Sequence, residues 1–140
     1  MDIFLDKVKS EANDQKMTMF DYTELLPTYV YAFAVGPYLF LDGSYDNGRI
    51  PMRLYVISSV NFMLSAYQDF IFDVTKKAMA FFEGFFGIPY PFKKYDQIWV
   101  RDYSSWAMEN AGLVTYDESK MLQPYSTEDN YYDFANTLVH

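Results

Sequence analysis

A chain of 140 residues that is 51% hydrophobic has the length of one ordinary domain, and at this size roughly two thirds of the unfolded surface can be removed from water. Cysteine is absent and the single histidine is His140, so these residues form no disulfide and cannot by themselves assemble a Cys/His zinc site or a Cys/His or Ser-His-Asp catalytic set. The 19 acidic against 11 basic side chains give a net charge of -8, which repels phosphate backbones and argues against nucleic acid as a partner.

Residues 1–20 mix charges without clear periodicity and read as an irregular or edge segment; Met1 to Ser10 lacks the small-residue cleavage site of a signal peptide. From Thr28 to Val35 the large rings Tyr29, Tyr31 and Phe33 alternate with smaller residues, the period-two pattern of a strand, and Gly36-Pro37 stops it. Asp42-Gly43 and Asn47-Gly48 are turn signals, so the chain reverses once or twice there. The same stretch is the expected domain boundary, dividing the chain into 1–48 and 49–140.

Met52 to Ile57 reads as a second strand, with Ser58-Ser59 and Asn61 available to cap a following helix. In that helix Tyr67, Phe70, Ile71, Val74, Ala78, Phe81, Phe82 and Phe85 fall at three- and four-residue spacings and are expected to face the core, with Asp73 and Lys77 paired on the other side. Gly87 and Pro89 end it. Tyr95–Val100 and Gly112–Tyr116 are further strands, with Trp106 to Asn110 between them. A last helix starts at Ser126 or Thr127, carries Glu128 and Asp129 in its first turn, and presents Tyr131, Phe134, Ala135 and Leu138 on one side. No stop signal follows, which reads as a chain cut before its fold ends. No apolar run approaches the roughly 18 residues of a membrane span.

Three stretches carry a family resemblance: Phe82-Glu83-Gly84-Phe85-Phe86-Gly87-Ile88-Pro89-Tyr90-Pro91-Phe92, then Lys94-Tyr95-Asp96-Gln97, then Ala107-Met108-Glu109-Asn110-Ala111-Gly112-Leu113-Val114-Thr115-Tyr116. Their order and spacing resemble the aminopeptidase N family of zinc peptidases, in which a Gly-Ala-Met-Glu-Asn motif lies on a strand edge ahead of a helix bearing H-E-x-x-H. Asn136-Thr137-Leu138-Val139-His140 is similar to the lead-in to that helix, and Leu26 to Gly36 resembles the closing strand of the family's amino-terminal β-domain. The resemblance covers residues 25–140. It implies an α+β fold, the end of a β-domain joined to the first part of a thermolysin-like catalytic domain with a small sheet and helices.

The resemblance further implies the chemistry. Glu109 would hold the free α-ammonium group of a peptide by a charge-assisted contact, and Trp106, Ala107, Met108 and Asn110 would complete the substrate-binding set, with backbone groups at Trp106 and Ala107 running alongside an extended peptide. The cofactor implied is zinc, with His140 as its first ligand and its site incomplete here; the general base and the remaining ligands would lie beyond His140. Partners implied are peptides with a free amino terminus and the remainder of the catalytic domain, and the segment alone is expected to be inactive. Asp117 and Glu118 read as solvated, and Tyr131 and Tyr132 as packing. The family has membrane-anchored and cytosolic forms; the lack of cysteine leans cytoplasmic.

Trp106 departs from the family pattern, which has glycine there. The edge could be shaped differently, the indole could wall the first side-chain pocket, or activity could be reduced; the second reading is preferred because aromatic walls suit apolar side chains. The alternative to an enzyme is a scaffold or interaction protein that keeps the aminopeptidase fold without a functional metal site.

Overall fold

In a computed structural model of the chain, residues 8–12, 15–18, 20, 22–57, 61–121 and 126–140 are described, with side chains from residue 20 onward except 61–64. The apolar spacing after residue 60 produces helix α1, Asn61–Phe86. It ends where expected: Gly87 takes φ 67 and its N–H donates to the Glu83 carbonyl at 3.0 Å, the left-handed closure that glycine permits. Lys77 pairs with Asp73 at 2.7 Å on the exposed side. Of the expected caps, Ser58 and Ser59 lie outside the described residues, and Asn61 is the first residue of α1, its side chain being outside the described set.

The buried stripe of α1 is Ile71, Phe72, Thr75 and Met79. Here the structure corrects the sequence reading, because Phe81, Phe82 and Phe85 are exposed. Burial ends at Met79, and beyond it the rings of Phe81, Phe82, Phe85 and Phe86 pack on one another with centroids 5.1 to 6.0 Å apart.

Strands β1 (Val8–Ala12) and β2 (Gln15–Thr18) pair antiparallel as a separate two-stranded sheet, so the opening segment is more regular than its composition suggests. The main sheet contains β3 (Tyr38–Tyr45), β4 (Ile50–Ile57), β5 (Tyr95–Val100), β6 (Ala107–Met108) and β7 (Leu113–Asp117), in the order β3-β4-β5-β7-β6. β4, β5 and β7 run parallel, while β3 and β6 pair antiparallel at the two edges. With α1 and helix α2, Glu128–Val139, this is an α+β fold.

Two expectations fail in the first third of the chain. Thr28–Val35 is no strand: Thr28–Val30 forms a 3-10 turn, Phe33 and Val35 are exposed, and the buried residue is Val30, which lies between the rings. A single backbone bond, from the Ala111 N–H to the Val30 carbonyl at 3.0 Å, ties this segment to the β6–β7 connection in place of a ladder. Asp42-Gly43 makes no turn either, but lies within β3. Gly43 is small for another reason, since a Cβ there would come within 2.6 Å of the Phe72 ring carbons of α1. The chain reverses once, at Asp46, Asn47 and Gly48, whose φ values of 52, 52 and 92 bring Tyr45 opposite Ile50. The junction expected at 48/49 falls within this turn, so β3 and β4 share one ladder.

The core lies between the sheet and α1. β4 alternates strictly, with Ile50, Met52, Leu54 and Val56 buried and the residues between them more exposed. Each such side chain contributes about 1.5–3 kcal/mol on burial. Trp99 stacks on Tyr116 at 5.0 Å, and α2 adds Phe134 and Leu138. Tyr131 and Phe134 pack against Phe70 of α1, confirming Tyr131 as packing, whereas Tyr132 is exposed. α2 starts at Thr127 with a reciprocal cap: the Asn130 N–H donates to Thr127 Oγ1 and the Thr127 N–H donates to Asn130 Oδ1.

Candidate functional site

The parallel strands β5 and β7 and the short edge strand β6 place one carboxylate at a free sheet edge. β6 pairs with β7 through Ala107↔Tyr116 and Met108↔Thr115, and the Asp117 N–H donates to the Trp106 carbonyl at 3.1 Å. In an antiparallel ladder the residues that face the partner strand alternate with those that face away. Trp106 therefore turns its backbone inward to β7, and Ala107 turns its amide and carbonyl to the sheet edge, where the carbonyl accepts from the Ser105 hydroxyl at 3.3 Å and keeps a second lone pair for an added strand. Of the two residues expected to run alongside a peptide, Ala107 has that geometry and Trp106 does not, because its carbonyl is already committed to the sheet.

Glu109 follows the edge strand. It is exposed, and its carboxylate makes no hydrogen bond or ion pair among the described residues. Asn110, by contrast, is buried, and its Oδ1 accepts from the Thr115 hydroxyl at 3.1 Å. The Leu113 N–H closes a turn onto the Asn110 carbonyl at 3.1 Å, with Gly112 at φ 67 in the third position, a conformation that side chains with a Cβ resist.

This turn is braced from β5. The Gly112 carbonyl accepts from the Asp96 N–H at 3.1 Å and from Lys94 Nζ at 2.6 Å. Lys94 in turn pairs with Asp96 Oδ2 at 2.7 Å, both side chains being less than a tenth exposed. Burial raises the Asp96 carboxyl above its ordinary value, and Lys94 opposes the shift. The pair was absent from the sequence reading, although its signal was present: opposite charges two apart at the start of a strand share one face.

A second brace holds the end of α1. Glu83 accepts from the Tyr90 N–H and Arg49 Nη2, each at 2.6 Å, and from the Tyr45 hydroxyl at 2.8 Å. The bond from Tyr90, and then the Arg49 guanidinium, hold its carboxyl below the usual range. One carboxylate thus fastens α1, the β3–β4 hairpin and the segment after the helix.

Between these braces lies a mostly apolar cleft of about 500 Å³. Its border includes Ala107, Met108, Glu109 and Asn110 on one side and Val139 and His140 at the end of α2 on another; Tyr90, Tyr95 and Tyr116 also line it. Burial pushes all three phenols up, so they are neutral at physiological pH. The cleft brings together five of the six expected site residues. Trp106 is the exception: the Lys120 ammonium sits 4.7 Å from its ring centroid, and the indole does not border the cleft, so the structure does not make it a wall of a pocket there.

Asp117 and Glu118 are more engaged than solvated carboxylates. Asp117 accepts from the Ser119 N–H and hydroxyl, which lower its carboxyl, and Glu118 pairs with Arg101 at 3.3 Å. Among the described residues no three His, Cys, Asp or Glu side chains cluster as a metal site. No helix among them is long and apolar enough to cross a membrane.

Comparison with known proteins accords with this geometry. The family model described as the Peptidase family M1 domain matches residues 70–140. Aminopeptidase N of Streptomyces lividans is 37% identical over 86% of this chain, and the mitochondrial aminopeptidase 2 of Saccharomyces cerevisiae is 36% identical over 100% of it. Glutamyl aminopeptidase of Rattus norvegicus is 31% identical over 97%. The chain spans 14% of the length of each of these three relatives.

Proposed function

The chain belongs to the peptidase family M1, and from that membership we propose that it works as a portion of a zinc-dependent aminopeptidase, the portion that anchors the free α-ammonium group of a peptide. The observation that carries this reading is the placement of Glu109, an uncommitted carboxylate at an open sheet edge, on the same cleft as His140. A carboxylate accepting from an ammonium group makes a short, charge-assisted contact that also fixes how far a peptide enters.

The edge-facing amide and carbonyl of Ala107 bond the peptide main chain as an added strand, and the turn locked by Asn110, Gly112 and Lys94 holds Glu109 in register with them. Positioning of this kind places the first peptide bond reproducibly beside the end of α2. Zinc would activate water in such an enzyme. His140 offers one imidazole, whereas a catalytic zinc takes three protein ligands, so the described residues do not make that site by themselves. In this reading the other ligands and the general base come from residues outside the sequence, and the 140-residue chain alone has no turnover.

The test uses the whole enzyme. Glu109→Gln lowers kcat/KM on substrates with a free amine by about 10- to 100-fold, the loss of one hydrogen bond to a charged group. Undiminished turnover would place the ammonium anchor elsewhere. Metal analysis separates the enzyme from a scaffold, since a scaffold carries no stoichiometric zinc.

A further inference from the structure

Trp106 stands where the resemblance has glycine, and its side chain goes to a definite place. Gln97 Nε2 bonds Thr75 of α1, so the β5 face that carries Gln97 and Trp99 is the α1 face. Register then assigns Val114, Tyr116 and Ala107 to that face as well, and Trp106, paired with Asp117, to the opposite one. There the indole is 57% exposed, with Lys120 Nζ 4.7 Å from the ring centroid. Lys120 makes no ion pair among the described residues. Asp117, which feels its charge, already accepts from Ser119, and Glu118 is held by Arg101.

A peptide bound by its amine at Glu109 and extended along the open edge runs antiparallel to β6, from residue 109 back toward residue 105. Its first residue then lies opposite Met108, its second opposite Ala107 and its third opposite Trp106. Directly opposed residues share a face, with Cβ atoms roughly 5 Å apart. The third side chain therefore meets the indole and the ammonium group stacked on it.

We infer that Trp106 and Lys120 form a subsite for the third residue of the peptide that favours an acidic side chain; the inference rests on the edge-strand reading above. The aliphatic part of a glutamate covers the indole while its carboxylate reaches the Lys120 ammonium, and a lysine at the same position meets like charge.

The test is a calorimetric titration of the whole enzyme in its metal-free form with Leu-Ala-Glu-amide and Leu-Ala-Lys-amide, which yields a dissociation constant for each without turnover. The glutamate peptide binds about threefold to fivefold more tightly, as for an exposed ion pair, and the ratio shrinks toward one in high salt. Lys120→Gln brings the two dissociation constants together, and Trp106→Gly weakens the glutamate peptide more than the lysine peptide. N-acetyl-Leu-Ala-Glu-amide, which lacks the ammonium group, does not bind. Equal binding of the two free-amine peptides, or a preference that survives Lys120→Gln, overturns this inference and leaves the anchor at Glu109 standing. Binding of the acetylated peptide as tight as that of the free amine, or no binding of any peptide, overturns the edge-strand reading and the subsite with it.

Discussion

Lys94→Met removes the cation that compensates a buried carboxylate. The wild-type contact is 2.7 Å between side chains less than a tenth exposed, and loss of one partner from such a pair costs about 3–5 kcal/mol. The structure also sets a ceiling. Asp96 can escape by taking up a proton, and for a carboxyl of ordinary pKa 3.8 this costs about 4 kcal/mol at pH 7. The lost bond to the Gly112 carbonyl adds about 1 kcal/mol, moderated because that oxygen keeps the Asp96 N–H. The expected loss at pH 7 is about 4 kcal/mol, a large part of the 5–15 kcal/mol typical of a domain. Protonation becomes easier by about 1.4 kcal/mol for each pH unit removed, so at pH 5 the loss falls to about 2–3 kcal/mol. Urea unfolding of wild type and variant at both pH values measures it. A loss below 1 kcal/mol at pH 7, or one equal at the two pH values, refutes the assignment of Lys94 as counter-ion to Asp96.

Other expectations follow from the same contacts. Gly112→Ala forces a side chain into φ 67, with its Cβ 3.3 Å from the Lys94 carbonyl, and costs about 1–2 kcal/mol in the same unfolding assay. Glu83 has a folded-state pKa below its ordinary 4.5, so the stability it contributes is complete above that pH and is lost as the pH falls through the folded-state value. Glu83→Gln flattens the urea midpoint across that acid window, and an unchanged pH profile would assign the acid sensitivity elsewhere. Thr127→Ala removes the hydroxyl cap of α2 and costs about 1 kcal/mol, read from the unfolding midpoint.

Much of the architecture was legible because it depends on local spacing. The apolar repeat and Gly87 defined the end of α1, the expected strand Tyr95–Val100 matches β5 to the residue, and Thr127 with Glu128 and Asp129 marked the start of α2. The motif around Glu109 was equally legible, since residue identities in order carry the resemblance whatever the chain does around them.

What failed was whatever depends on a neighbour remote in sequence. Gly43 looks like a turn residue, and only the Phe72 ring packed above it shows that it is a strand residue making room for a helix. The rings of Tyr29, Tyr31 and Phe33 look like one face of a strand, but no partner strand takes up that face among the described residues, and Val30 is what the fold buries. Phe81, Phe82 and Phe85 keep the period of the core stripe after the core has ended at Met79. Sequence alone thus determined the fold class and singled out Glu109 as the candidate anchoring carboxylate, because the motif order that carries the family resemblance is written along the chain. Tertiary structure alone decided which backbone groups face the open edge, where the Trp106 indole goes and that Lys94 is neutralised by Asp96, because register, burial and charge compensation are set between elements that the chain brings together only on folding.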